Sequence, residues 1–217
     1  MQKINVTVYG DYACPWVYNT ATWLNMVKKV YKGDLNVTWK NFSLEQNAYT
    51  LKQKKEEQPA TWKVWEEKDP TVARSLVSQI AGEAARRQGD DLHQKFHLAM
   101  LTARHGREDR LPLNEAEGIL EVAKEVGLDV GRLQEDMKDP ALAKKIGEDH
   151  EGAVAQGIFG TPTYVFDNGN TMFLKAFFPP EGDAIAEWEH FVAIASERNY
   201  IGEMKRPQPP WPKGAVD

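Results

Sequence analysis

Residues 4–9 alternate apolar and polar side chains, residues 15–31 carry a broad apolar stripe at helical spacing, and residues 35–39 alternate again. Strand, helix and strand in so short a span leave few folds open. Ile4, Val6 and Val8 face one way against Asn5 and Thr7, and Leu35, Val37 and Trp39 repeat the pattern after the Gly33-Asp34 turn. A helix joining two strands of one sheet makes them parallel, with a right-handed crossover. On that helix Val17, Ala21, Leu24, Lys28 and Tyr31 share one face and Trp16, Thr20, Trp23, Val27 and Val30 the next. The stripe is wide enough to lie on a sheet.

Between about residues 59 and 151 the period turns helical and stays so. Pro70 opens a helix through Arg87, and Asp90-Asp91 caps another through His105. Leu113-Asn114 precedes a third, which carries Ile119, Leu120, Val122, Ala123 and Val126 and stops at Gly127; Pro140 begins a fourth, to about Gln156. Strands return at residues 163–166 and 171–175, joined by Asp167-Asn168-Gly169-Asn170, a hairpin signal of the Asn-Gly type. Residues 181–199 predict a last helix with Ile185, Trp188, Phe191, Val192 and Ala195 inward. The expected organisation is an α/β core made of residues 1–58 and 151–199, an inserted all-helical subdomain at 59–150 and a Pro-rich tail at 200–217. A chain of 217 residues has room for two cores.

The chemistry concentrates at Asp11-Tyr12-Ala13-Cys14-Pro15-Trp16-Val17, where the first strand hands over to the first helix. Cys14 is the one cysteine of the sequence. Most free cysteines are inert small hydrophobes. At a helix N-terminus, however, unsatisfied N–H groups and the positive end of the dipole favour thiolate, the form that attacks disulfides. Pro15 suits the first helical turn, where its missing N–H costs nothing. The expectation is therefore a thiol with a lowered pKa. A second segment, Gly157-Ile158-Phe159-Gly160-Thr161-Pro162-Thr163-Tyr164-Val165-Phe166, opens a short strand on a proline, which a strand start tolerates.

Taken together the two segments resemble the thioredoxin superfamily, and more closely its DsbA-like branch of the FrnE type. Val37-Thr38-Trp39-Lys40-Asn41-Phe42-Ser43-Leu44, Ala84-Ala85-Arg86-Arg87-Gln88-Gly89 and Glu151-Gly152-Ala153-Val154-Ala155-Gln156-Gly157-Ile158 are similar to family segments in the same order. The resemblance covers about residues 4–198 and implies a thioredoxin-like fold with Cys14 as nucleophile, Pro15 and Trp16 shaping its exposure, and a cis Thr161-Pro162 packed beside it. It implies that Thr161 offers its backbone to an extended peptide or to glutathione. Where the family motif has its second cysteine this chain has Val17, so a mixed disulfide must be released by an external thiol. The stretch from Phe173 to Glu181 also departs from the Gly-containing segment of the family.

Three functions follow from that resemblance. The first is a monothiol thiol–disulfide oxidoreductase acting on a protein disulfide or a small thiol, with no bound cofactor and glutathione as co-substrate. The second is a glutathione-dependent isomerase or transferase, of the kind that resembles 2-hydroxychromene-2-carboxylate isomerases and kappa glutathione transferases, in which a serine commonly stands at the place of Cys14. The third is a binding module whose chemistry has decayed.

Trp62 and Trp65 either dock the insertion or form an apolar wall for substrate beside Cys14. His93 and His97 stand four apart on a helix but lack the further ligands a metal usually takes, so no metal is expected; His105 and His150 reach Cys14 only if the insertion folds over it. Gly157-Ile158-Phe159-Gly160 lacks the spacing of a nucleotide fingerprint. A net charge of −5 argues against nucleic acid, and no stretch approaches the roughly 20 apolar residues of a membrane span. Met1-Gln2-Lys3-Ile4 runs into a strand without an apolar export segment, and with one cysteine a cytoplasmic setting is expected. The Asn-x-Ser/Thr matches at Asn5, Asn36 and Asn41 are then chance.

Overall fold

β1 (Ile4–Gly10) is the central strand of a sheet ordered β2-β1-β3-β4. The computed structural model describes residues 3–179 and 182–205. β2 (Leu35–Asn41) pairs parallel with β1 from Ile4↔Leu35 to Gly10↔Asn41, as the crossover requires. β3 (Thr163–Phe166) runs antiparallel on the other side of β1, with Val6 opposite Phe166 and Tyr9 opposite Thr163, and β4 (Thr171–Phe173) closes the hairpin. Gly169 in that turn has φ +83°, a region that favours glycine and that the Asn-Gly signal anticipates. β4 ends at Phe173 rather than Lys175.

The crossover helix α1 (Pro15–Val30) buries Val17, Ala21, Leu24 and Val27 along one stripe and Thr20 and Trp23 beside it. α2 (Leu44–Lys55) follows β2; Ser43 caps it by accepting from the Gln46 N–H. Sequence pattern misses this helix because Gln46 is its one buried residue and no apolar stripe exists to be read. α3 (Leu76–Arg86), α4 (Asp90–His105), α5 (Ala116–Glu125), α6 (Val130–Asp136) and α7 (Pro140–Ala155) then build the helical insertion. α8 (Ala184–Ala195) returns to α1, where the Trp23 indole donates to the Ala184 carbonyl at 2.8 Å and meets Trp188 edge-on at 5.7 Å. The expected start at Glu181 and the tail from Arg206 lie outside the described residues.

The helix expected from Pro70 to Arg87 is broken. Residues Pro70–Val72 form a single 3-10 turn capped by Asp69, the chain extends at Ala73, and α3 starts at Leu76. A tertiary bond makes the break: the Arg74 N–H donates to the Glu45 carboxylate of α2 at 2.7 Å instead of to its own helix. A second 3-10 turn, Val64–Glu66, precedes it.

Two cores were expected, and one continuous core is found. Val8 and Leu24 of the α/β part belong to the same buried cluster as Phe96, Leu133 and Ile146 of the insertion, with a small satellite of Tyr9, Phe42, Ala153 and Ile158. The boundary expected at residue 150 falls inside α7, which itself packs on β2. The insertion also closes the outer edge of β2. Gln94 donates to the Val37 carbonyl and Arg86 to the Trp39 carbonyl, each at 2.8 Å, while Asp149 accepts from the Asn41 N–H at 3.4 Å. An open edge is a template for unwanted pairing, and these side chains remove it.

α7 meets the Val64–Glu66 turn closely enough to require glycine at position 147, where a Cβ would lie 2.5 Å from the Trp65 indole nitrogen. Gly147→Leu is therefore expected to destabilise the fold by about 2–4 kcal/mol, measured as a lowered urea midpoint at unchanged m-value. Equal midpoints for the two proteins would refute this account of the contact.

Candidate active site

The loop between β1 and α1 is tied down at each residue. The Asp11 carboxylate accepts from the Ala13 N–H at 2.9 Å and from the Leu44 N–H at 2.8 Å, so one buried side chain joins the loop to the start of α2. Burial raises its pKa, against the pull of those two N–H groups. The Asp11 carbonyl accepts from the Cys14 N–H at 2.9 Å. Between them, Tyr12 is gripped by the insertion: His97 Nδ1 lies 3.1 Å from its hydroxyl and His105 Nε2 lies 2.8 Å from its carbonyl. A carbonyl only accepts, so His105 carries its proton on Nε2. The insertion does fold over the loop, and of His105 and His150 it is His105 that reaches it. His150 instead sits between Phe42 and Trp65, at ring distances of 4.7 and 5.3 Å.

Cys14 is the N-cap residue of α1, extended at φ −96°, with Pro15 in the first turn. Its sulfur is 3.6 Å from the Thr161 carbonyl, to which the thiol donates. The Thr161-Pro162 peptide is cis. Thr163 fixes the approach to this strand by donating from its hydroxyl to the Gly160 carbonyl at 2.8 Å. Val17, one turn on from Cys14, is fully buried; a Cβ on Gly10 would stand 3.0 Å from its Cγ1, so the valine fills the space over the end of β1.

The lowered pKa expected for Cys14 is corrected here. Only 4% of the residue is exposed, and burial pushes the thiol above the ordinary cysteine value. The Thr161 side chain and the N–H groups of Val17 and Trp16 pull the other way, and the charge of Asp11 adds to the rise. Loss of water outweighs the helix terminus. The expected result is an inflection in the rate of Cys14 alkylation above about pH 8.5; an inflection below pH 8 would overturn this ordering of effects.

Sequence reasoning missed what covers the first turns of α1. Residues 173–178 lie along the first turns of α1: Trp16 meets Phe177 edge-on at 5.1 Å, Tyr18 meets Phe178 at 5.5 Å, and Asn19 donates to the Ala176 carbonyl at 2.8 Å. The Lys175 ammonium stands 5.8 Å from the Trp16 ring and 5.6 Å from Phe173, which in turn contacts Phe159, 66% exposed. The departure from the family segment and the density of aromatics were the available signals. Trp62 and Trp65 are engaged elsewhere. Trp62 packs on Tyr49 at 5.1 Å and accepts at its carbonyl from Gln46, both on α2, while Trp65 lies against Gly147 and His150 of α7. They dock the segment after α2 onto its neighbours. Among the described residues no group of three His, Cys, Asp or Glu is placed to hold a metal; His93 and His97 face the Tyr12 side of the core.

A four-stranded sheet with a cysteine at the first helix and a cis proline opposite it defines a thioredoxin-like protein. The model of the DSBA-like thioredoxin domain family matches residues 5–179, and the chain belongs to that family. A relative, the uncharacterized protein Rv2286c of Mycobacterium tuberculosis, is 25% identical over 206 residues, covering 94% of this chain and 83% of that one. Among solved structures, the probable DsbA oxidoreductase SCO1869 of Streptomyces coelicolor superposes with a TM-score of 0.60 at 18% identity, covering 97% of each chain. A 2-hydroxychromene-2-carboxylate isomerase superposes with a TM-score of 0.59 at 11% identity, over 92% of this chain and all of that one. The cytosolic disulfide reductase DsbM of Pseudomonas aeruginosa, also solved with GSH, superposes with a TM-score of 0.56 at 19% identity, over 88% of this chain and 100% of its own. At these identities the structures share the fold. No helix among the described residues is long and apolar enough to cross a membrane.

Proposed function

We propose that the chain is a monothiol thiol–disulfide oxidoreductase in which Cys14 attacks a disulfide and an external thiol completes the cycle. The observation that carries it is the pairing of the one cysteine in the sequence with the Thr161 carbonyl at 3.6 Å, in a DSBA-like chain whose next-turn position is the buried Val17. In the first step a new S–S bond forms between Cys14 and one half of the substrate. The other half leaves with the electron pair of the broken bond and takes up the proton that Cys14 gave up. In the second step a glutathione thiolate attacks the mixed disulfide, Cys14 regains a proton, and the disulfide formed departs. Pro15 and Trp16 limit approach to the sulfur, and the Thr161 backbone holds an extended peptide or glutathione. A resident cofactor has no part in these steps.

Because the resting thiol is neutral and covered, exchange is slow at neutral pH and quickens as the thiol deprotonates. The test is incubation with oxidised glutathione. A one-to-one adduct on Cys14 that persists until free thiol is added supports the reading; failure of the adduct to form at any pH between 7 and 9 refutes it.

The neutral, buried thiol also favours a second reading. In a glutathione-dependent isomerase the reacting sulfur belongs to glutathione, and an S–H donor at Cys14 serves it much as a serine hydroxyl does. Turnover of an aromatic substrate with reduced glutathione, without any adduct on Cys14, would decide for that reading.

A further inference from the structure

The Cys14 thiol donates to the Thr161 carbonyl at 3.6 Å, a bond that only the protonated sulfur can make. When the proton leaves, lone pairs on sulfur and on the carbonyl oxygen face each other. The anion therefore needs a donor that the thiol does not.

The same threonine carries one that is idle. Its side-chain oxygen is buried without a hydrogen-bond partner, in a residue only 3% exposed. A hydroxyl always carries its proton and turns about its C–O bond to suit an acceptor, and leaving it unpaired in the interior costs stability. Nearby hydroxyls find a local acceptor: Thr163, two residues on, donates to the Gly160 carbonyl at 2.8 Å, and Ser78 donates to the Ser75 carbonyl at 2.8 Å. The Thr161 hydroxyl does not. It lies close to the sulfur instead. Burial raises the thiol's pKa, and the strongest pull against it comes from the Thr161 side chain, ahead of the N–H groups of Val17 and Trp16.

We infer that Thr161 is a catalytic residue, whose hydroxyl donates to the Cys14 sulfur once the S–H to carbonyl bond has been lost. Its use in turnover rests on the monothiol reading above. On ionisation the Cys14 proton passes to a base in solution and Thr161 keeps its own, so the S–H bond is the one bond broken. The hydroxyl loses its charged acceptor when the mixed disulfide forms. When an external thiolate attacks the partner's sulfur, the electron pair of the S–S bond returns to Cys14, and the hydroxyl receives the leaving anion. One donor thus serves the nucleophile and the leaving group. Among the titratable groups packed around the loop, Asp11 opposes the anion, burial keeps His97 and His105 of the insertion neutral, and the Lys175 ammonium is held over the Trp16 ring.

The test is the pH dependence of thiolate formation at Cys14 in the full chain, read from ultraviolet absorbance with Cys14→Ser as the blank and from the rate of alkylation. Thr161→Val has the same shape without the hydroxyl. Its inflection should rise by about half to one pH unit, so that alkylation at about pH 8 slows about three- to tenfold. Its urea midpoint should not fall, because the hydroxyl removed had no partner in the resting protein. Thr161→Ser and Thr161→Ala are both smaller than threonine and differ from each other in the hydroxyl alone, so they carry the test if valine does not fit. The alanine protein should titrate above the serine protein by a similar amount. The inference is overturned if the valine inflection stays at or below that of the wild type, or if the serine and alanine proteins titrate together. It is also overturned if alkylation of the valine protein slows with no movement of the inflection, which would make Thr161 a packing residue. Alkylation needs no disulfide substrate, so these outcomes are separate from the oxidised-glutathione adduct that tests the monothiol reading.

Discussion

Cys14→Ser is expected to reduce disulfide exchange to the uncatalysed rate, while the urea midpoint stays within about 1 kcal/mol of the wild type. A serine hydroxyl does not attack a disulfide, and the chain has no other sulfur nucleophile among cysteines. Mass spectrometry after oxidised glutathione should find one adduct on the wild type and none on the variant. Val17→Cys should reverse the missing step. Position 17 follows Cys14 by one turn, with the Val17 N–H donating to the Cys14 carbonyl at 3.1 Å, so a thiol there is placed to displace glutathione and leave an internal disulfide. The adduct should then decay without added thiol, at a cost of about 1 kcal/mol from the lost packing of a buried valine. If Cys14→Ser keeps most of an isomerase or transferase activity on an aromatic substrate with reduced glutathione, the monothiol mechanism is wrong and the second reading holds.

The next largest effect is acid unfolding. His93 is held down to about 3, and His105 and His150 to about 4, in each case chiefly because burial penalises the charged ring. His97 is held well below the ordinary value in the same way. The unfolded chain takes up protons at these rings near pH 6.5 while the folded chain does not, so folded-state stability falls as pH falls. Their contribution is full above about pH 7 and is lost progressively between about 6.5 and 3. The combined loss is of the order of 5–10 kcal/mol, comparable to the whole stability of a domain. Asp11 acts in the opposite sense, since its raised pKa favours the folded state at low pH, but it is one group against four. Urea midpoints should be flat from pH 7 to 8 and drop steeply below 6.5, and His150→Phe should flatten part of the drop. A midpoint unchanged between pH 7.5 and 4.5 would show that the rings charge without penalty in the folded protein.

Much of the architecture was legible because it rests on local pattern. The alternation at residues 4–9 and 35–39 and the stripe between them leave parallel pairing as the economical arrangement, and β1, α1 and β2 follow it. Asn168-Gly169 marks a turn because few other residues accept its backbone, and Pro140 marks the start of α7 because its missing N–H costs nothing in a first helical turn. α2 and the break before α3 were not legible: the one lacks an apolar face, and the other is made by Glu45, 29 residues away in sequence.

What residue types decide alone is the inventory of chemistry: one thiol at a strand-to-helix junction, a valine where a resolving thiol belongs, and a Thr-Pro at a distant strand. The ionisation of that thiol was decided by tertiary structure alone. A helix terminus is a local feature and argues for thiolate; burial against Thr161 is not local and argues for thiol, with the larger effect. The same holds for Trp62 and Trp65, whose partners on α2 and α7 depend on how the insertion closes, and for His97 and His105, which reach the loop at Tyr12 across 85 and 93 residues. Periodicity specifies which face of an element is apolar. Which polar groups that face meets, and how much water is left beside them, depends on contacts between segments that no window of sequence contains.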